Sequence, residues 1–179
     1  MGYRHSRDDI LDAAVEVVLD VGLAGLTFAS VSRRLGIADR TVVYYFPSKG
    51  DLVSAVLSRT TALLQELLAP ALSQEASNES DVLRRCWTVL SGPAGEAASR
   101  VYFESVGLAV QGREPHTSLA DDLVGAWTTW IAGRLTGDGA TRVDRAHGIV
   151  ATLDGLLLIR AIAGQGRADA AARGLGLSG

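Results

Sequence analysis

An all-α fold is predicted for this 179-residue chain by three observations. Apolar residues recur at helical spacing from Ile10 onward, and no polar-apolar alternation marks a half-buried strand. Pro is scarce, at 4 residues, and breaks such as Gly22, Gly36, SGPAG, GREPH and TGDG cut the chain into helix-sized pieces. With 47% hydrophobic residues, the chain can bury one good core or two small ones. The division expected is a three-helix domain over residues 1–50 and a helical bundle over 51–179.

The first helix is read from SRDDILDAAVEVVLDVG. Ser6 and Asp9 form an S-x-x-D variant of the capping box, Ile10, Ala14, Val17, Val18 and Val21 share a face, and Gly22 ends it. Thr27 caps a second helix, in which Phe28, Val31 and Leu35 recur at i, i+3 and i+7. Gly36 tolerates positive φ just past its end, so the chain can reverse sharply, and Ile37 returns to the core. A third short helix runs from about Asp39 to Phe46, where Pro47 disfavours helical geometry and ends it. Ser48 and Asp51 form another S-x-x-D cap, with Lys49 in the first turn of the helix that follows. The first helix should close this unit over Phe28, Val31, Leu35, Val42 and Phe46. Two short helices joined by a tight turn, with a capped helix directly after, form a helix-turn-helix suited to holding DNA.

The spacing T-(x3)-V-(x3)-LGI-(x3)-T-(x2)-YYF-x-SK-(x2)-L across residues 27–52 resembles the amino-terminal DNA-binding domain of the tetracycline-repressor (TetR) family of bacterial regulators. The resemblance covers roughly residues 5–53, under a third of the chain. The aromatic pair, the Pro, the capping Ser and the Lys at these offsets make it specific. It implies a homodimeric, ligand-responsive transcriptional regulator, most simply a repressor on a near-palindromic operator in double-stranded DNA. It further implies that the second domain binds a small-molecule effector, and that its last two long helices pack against a second copy. Two positions depart from the family pattern: Val43 stands where a polar aromatic is common, and Ala38 where a capping Ser or Thr is common. Asp39 is expected to take over that cap.

The third helix is the expected recognition helix. Arg40 is the candidate for reading a base edge, because a guanidinium bonds guanine O6 and N7 together. Thr41 offers a hydroxyl to phosphate and a methyl to thymine, and the resemblance implies backbone or base contacts for Tyr44 and Tyr45. Lys49 should meet a phosphate beside the free N–H groups of a helix start. Thr27 can do the same or serve only as a cap, and the arm carrying Arg4, His5 and Arg7 either reaches DNA or lies solvated. The net charge of −3 is unusual for a DNA binder. Residues 1–50 hold six basic and six acidic side chains, leaving 11 basic against 14 acidic elsewhere. Affinity must then come from a few well-placed cations, with the acids of the first helix facing away.

Beyond the motif, a long helix runs from Ser48 through Leu52, Val56, Leu63, Leu67 and Leu68 towards Pro70, and SQEASNES reads as a loop. Further helices are expected at about 81–90, 95–111, 118–135, 142–163 and 168–174. The run Ile149–Ile162, interrupted by Asp154, reads as a buried helix too short to span a bilayer. Its helix is apolar on more than one face and so needs two neighbours, with Gly148 and Gly155 allowing close approach. Trp87, Tyr102, Phe103, Trp127 and Trp130 can line an effector cavity or fill a solid core, and His147 can meet a ligand or lie at the dimer contact. The single Cys86 excludes an internal disulfide and reads as a small core residue. Three separated histidines without ligand spacing leave no catalytic or metal constellation, and no cofactor is expected. The segment MGYRHSRDD has no apolar signal core, which predicts a cytoplasmic chain with no membrane partner.

Overall fold

The computed structural model describes residues 5–74, 76 and 78–177, and among these there are nine α-helices and no strand. They are α1 (Arg7–Val21), α2 (Phe28–Leu35), α3 (Asp39–Tyr45), α4 (Lys49–Leu68), α5 (Glu79–Leu90), α6 (Pro93–Val110), α7 (His116–Ala132), α8 (Gly139–Ala163) and α9 (Gln165–Gly174). Two compact units are formed. The first holds the described residues up to Ala62 together with Arg100–Ala120, and the second holds Leu63–Ser99 and the described residues from Asp121 onward. α4, α6 and α7 therefore each run from one unit into the other, and residue 50 lies inside the first unit.

The first unit is punctuated as the sequence predicts. Ser6 Oγ accepts from Asp9 N at 3.1 Å while Asp9 accepts from Ser6 N at 2.7 Å. Thr27 and Ser30 make the same reciprocal pair, both bonds at 2.9 Å, and Ser48 and Asp51 repeat it ahead of α4 at 3.0 and 3.1 Å. Each such cap contributes about 1 kcal/mol to its helix start. At the end of α2, Gly36 is left-handed (φ 67°, ψ 33°). Ile37 N then donates to Ser32 O at 3.0 Å and Gly36 N to Arg33 O at 3.3 Å, so the last carbonyls of α2 are satisfied as the chain reverses. Phe46 leaves helical geometry (φ −129°, ψ 87°) directly before Pro47.

Ile10, Ala14, Val18, Val31, Val42, Phe46, Leu52 and Val56 are almost wholly buried and form the core of this unit. Val21, expected on the buried face of α1, is 61% exposed. It ends the helix, and Leu23 and Leu26 of the following 3-10 turn are buried instead. Phe28 and Leu35 are only half-buried. The second half of α6 also belongs here: Glu104 accepts from Leu23 N at 2.6 Å. Gly22 (φ 75°) makes room for that carboxylate, since a Cβ there would lie 2.5 Å from Glu104 Oε1. Ser105 on α6 and buried His116 on α7 share a hydrogen bond of 2.8 Å.

In the second unit the helices begin earlier than expected, because their start signals are single side chains. Asn78 caps α5 through Asp81 N (3.0 Å), Pro93 opens α6, and Asp138 caps α8 through Thr141 N (3.0 Å). α7 also starts earlier, at His116, and stops at Ala132. Val82, Cys86, Ile131, Ile149, Leu156, Ala168 and Leu177 are buried here. Burial pushes the Cys86 thiol up to about 12, which keeps it protonated and inert at neutral pH. α8 covers the helix expected at 142–163, and its apolar run Ile149–Ile162, expected to be buried, is covered only in part. It is 25 residues long, its polar first turns lengthening it beyond the apolar run, and only one face is covered. Leu63 and Leu67 on α4 are likewise exposed.

Gly36→Ala should lower the stability to urea by about 1 kcal/mol or more, because Ala does not adopt positive φ without strain. An unchanged midpoint would contradict the role given to the turn. Burial, then the nearby Lys49 charge, hold the His116 imidazole below its ordinary value of 6.5, against a smaller opposing effect of Glu114. The unfolded chain takes up this proton as pH falls through about 6.5 while the folded chain resists it, so the contribution is complete above that pH and lost below it. Melting temperatures of the wild type and His116→Gln should therefore diverge less at about pH 5.5 than at about pH 7.5.

Candidate nucleic-acid interface

The placement of α3 rests on Ser32. This side chain is 3% exposed, and its hydroxyl donates to the Asp39 carboxylate while lying 3.2 Å from Ala29 O. Asp39 is consequently not the helix cap. Ala38 occupies that position without a side-chain bond, its carbonyl accepting from Thr41 N at 2.9 Å, and Asp39 ties the start of α3 back to α2. A serine two residues after Thr27-Ser30 and seven before an aspartate carries no pattern that sets it apart in sequence.

The cations of the first unit are sorted by ion pairing. Arg34 bonds Glu16 at 3.1 Å and also Asp20, and Arg59 bonds Asp12 at 3.1 Å. Three of the acidic residues of α1, Asp12, Glu16 and Asp20, are thus engaged with arginines of α2 and α4. Arg33, Arg40 and Lys49 are exposed, and none of them lies in an ion pair among the described residues. Depressed titration of His116 keeps that neighbour of Lys49 neutral, so it does not add a competing charge. This arrangement answers the composition: a segment uncharged overall leaves Arg33, Arg40 and Lys49 outside the ion pairs of the described residues.

Among the expected contact residues, Tyr44 is 79% exposed and Arg40 and Thr27 are also exposed, whereas Thr41 is half-buried. Tyr45 is half-buried, and its hydroxyl donates to the His5 carbonyl at 3.2 Å, which fastens the amino-terminal arm to α3. The two tyrosine rings meet edge to face at 5.0 Å. Arg7 stacks 4.8 Å over the Phe46 ring, so this arm cation has a structural role. Arg4 lies outside the described residues. Lys49 sits in the first turn of α4, where unpaired backbone N–H groups and an ammonium suit a phosphate.

The six residues considered for an effector are divided between the units. Tyr102 and Phe103, ring centroids 5.2 Å apart, lie on the part of α6 in the first unit. Trp87 is buried in the second, where Trp127 and Trp130 are half-buried and meet edge to face at 5.8 Å. The Arg134 guanidinium lies 3.5 Å over the Trp130 ring. His147 is exposed on α8, beside exposed Gly148 and Ala151.

A capped helix-turn-helix with exposed Arg40 and Tyr44 on its second helix, and exposed Arg33 and Lys49 on the helices before and after it, defines a DNA-binding transcriptional regulator. Residues 10–56 match the model of the bacterial regulatory proteins of the tetR family, so this segment is a DNA-binding domain of that type. It is 25% identical over 164 residues to the HTH-type transcriptional regulator BetI of Burkholderia ambifaria, covering 88% of this chain and 83% of that protein. Its fold is similar to that of the multidrug binding protein EbrR complexed with imidazole (TM-score 0.70, 24% identity, 97% and 96% of the two chains covered). It is also similar to a transcriptional regulator from Saccharomonospora viridis in complex with choline (TM-score 0.70, 19% identity, 95% and 93% covered). Regulators of this family are non-enzymatic DNA-binding proteins, and this chain is a regulator rather than an enzyme.

Lys49→Ala should weaken binding to every DNA sequence and lower the slope of log K against log salt by about 1. Arg40→Ala should instead relax preference at one base position, by about 1–3 kcal/mol. Salt-dependent fluorescence anisotropy on a selected site and on a shuffled one separates the two. Unchanged binding in both variants would rule out this docking.

Proposed function

We propose that the chain is a homodimeric repressor, cytoplasmic, released from a near-palindromic operator by a small-molecule effector. Residues 1–50 would read DNA through Arg40, Thr41, Tyr44, Tyr45 and Lys49, with Thr27 at a phosphate, and residues 51–179 would bind effector and dimerise. The observation that carries the dimer is the uncovered face of α8. Ala151, Gly155, Leu158 and Ile162 are exposed at spacings of four, three and four, so they line one stripe, and Ile162 is 76% exposed. A helix with an apolar stripe in water calls for a partner, and small residues let a second helix approach closely. Gly139–Ala163 is long and apolar enough to cross a membrane by length and composition, yet Asp154 and Arg160 interrupt it. A second copy suits this stripe better than lipid does. Symmetry then places two recognition helices on successive major-groove faces, about 34–36 Å apart or a multiple of that.

Effector control is supported by the ligand-bound relatives, EbrR and the choline complex, and by the continuity of α4 and α6 through both units. α6 carries Glu104, which holds the Leu23 amide beside the α1–α2 connection. A ligand that binds one arrangement of α6 better than another would shift the population of DNA-competent dimers, with coupling of about 1–3 kcal/mol.

Selection from a random DNA library should recover an inverted repeat, whereas a single half-site would contradict the dimeric reading. Ile162→Asp together with Leu158→Asp should convert a dimer to a monomer in sedimentation at micromolar concentration. The paired variant should also lose operator affinity while retaining its helical circular dichroism.

A further inference from the structure

Arg160 is a buried cation with unused bonding capacity. Its side chain is only 10% exposed, and it follows Ile149, Leu153 and Leu156 along the buried face of α8. Nη2 donates to Glu96 Oε2 at 3.1 Å, while Nε and Nη1 are buried and bond nothing among the described residues. Buried guanidinium donors left unbonded are costly, and a single contact to a carboxylate forgoes the paired geometry in which arginine binds anions best. Glu96, on the first turn of α6, keeps 54% of its side chain in solvent, so it is the more exposed partner of the pair.

We infer that Arg160 is the anchor for an effector carrying one carboxylate or phosphate group, whose oxygens pair Nη1 with Nη2 in competition with Glu96. This rests on the effector-controlled reading above and names the chemical class of the ligand. The rest of the same unit favours an anion over a cation. A quaternary ammonium seeks an aromatic face or a desolvated acid. The Trp130 face already holds Arg134 at 3.5 Å, and buried Asp81 is bridged by Arg84 at 2.5 Å and Arg85 at 2.6 Å. Competition for Arg160 frees Glu96 at one end of α6, the helix whose Glu104 holds Leu23 in the first unit. An anion at Arg160 therefore has a route to the DNA-binding helices that does not require direct contact with them.

The test uses the full chain with benzoate, octanoate and phenyl phosphate as anions, benzyl alcohol as a neutral isostere and choline as a cation. Tryptophan fluorescence and melting temperature report binding, and anisotropy on the selected operator reports release. At least one anion should raise the melting temperature and release DNA, and benzoate against phenyl phosphate tells carboxylate from phosphate ester. Arg160→Gln should weaken that anion by at least about tenfold, with Arg160→Lys intermediate. Glu96→Gln should tighten it, because the competing carboxylate is gone, and this half-exposed site decides the matter if Arg160→Gln does not fold. An anion response unchanged in Arg160→Gln, or unchanged or weakened in Glu96→Gln, overturns the inference. If only choline or benzyl alcohol releases DNA, the inference falls while effector control stands; if none of the three classes does, both fall.

Discussion

The join between α2 and α3 is held by one small residue, and the DNA-facing surface depends on it. Ser32 gives its carbonyl to Ile37 N across the turn and its hydroxyl to Asp39 at the start of α3. A backbone bond and a side-chain bond from the same buried residue restrict where the recognition helix can point. With α3 so placed, Val42 and Phe46 enter the core while Arg40 and Tyr44 remain outside. Preorganisation of this kind lowers the ordering cost that would otherwise be met on binding DNA.

Electrostatic sorting adds the second requirement. A segment with equal numbers of acids and bases binds a polyanion only if the two signs are separated in space. Three carboxylates of α1, Asp12, Glu16 and Asp20, engage Arg34 and Arg59 and so hold helices together. Those ion pairs are partly exposed and add little to stability by themselves. Their larger consequence is which arginines are left outside ion pairs.

The two compact units do not coincide with a cut after the helix-turn-helix. Arg100–Ala120 pack with the amino-terminal helices, through the Glu104–Leu23 bond and the Ser105–His116 pair that sits near Lys49. The DNA-binding helices are thereby joined to α6 by side chains and backbone as well as by α4. This gives the proposed effector response a physical carrier: a helix that begins beside Arg160 and ends in the unit that holds the recognition helix.

Local rules made much of this molecule legible. Capping pairs at Ser6, Thr27 and Ser48, the left-handed Gly36 and the stop at Pro47 involve residues no more than a few positions apart, and the backbone conformation that each demands follows from the residue itself. The family spacing and the exposure of Arg40, Tyr44 and Lys49 belong to the same range. Helix starts at Asn78, Pro93 and Asp138 were signalled by single residues and are less distinct. Local pattern was enough for the helical class, the three joints of the DNA-binding motif and its resemblance to one family of regulators. Only the tertiary structure decided which arginines are paired, that Asp39 serves Ser32 instead of a cap, and that Arg160 is buried with Glu96 as its partner. Those outcomes depend on contacts between residues up to 64 positions apart, which no local periodicity encodes.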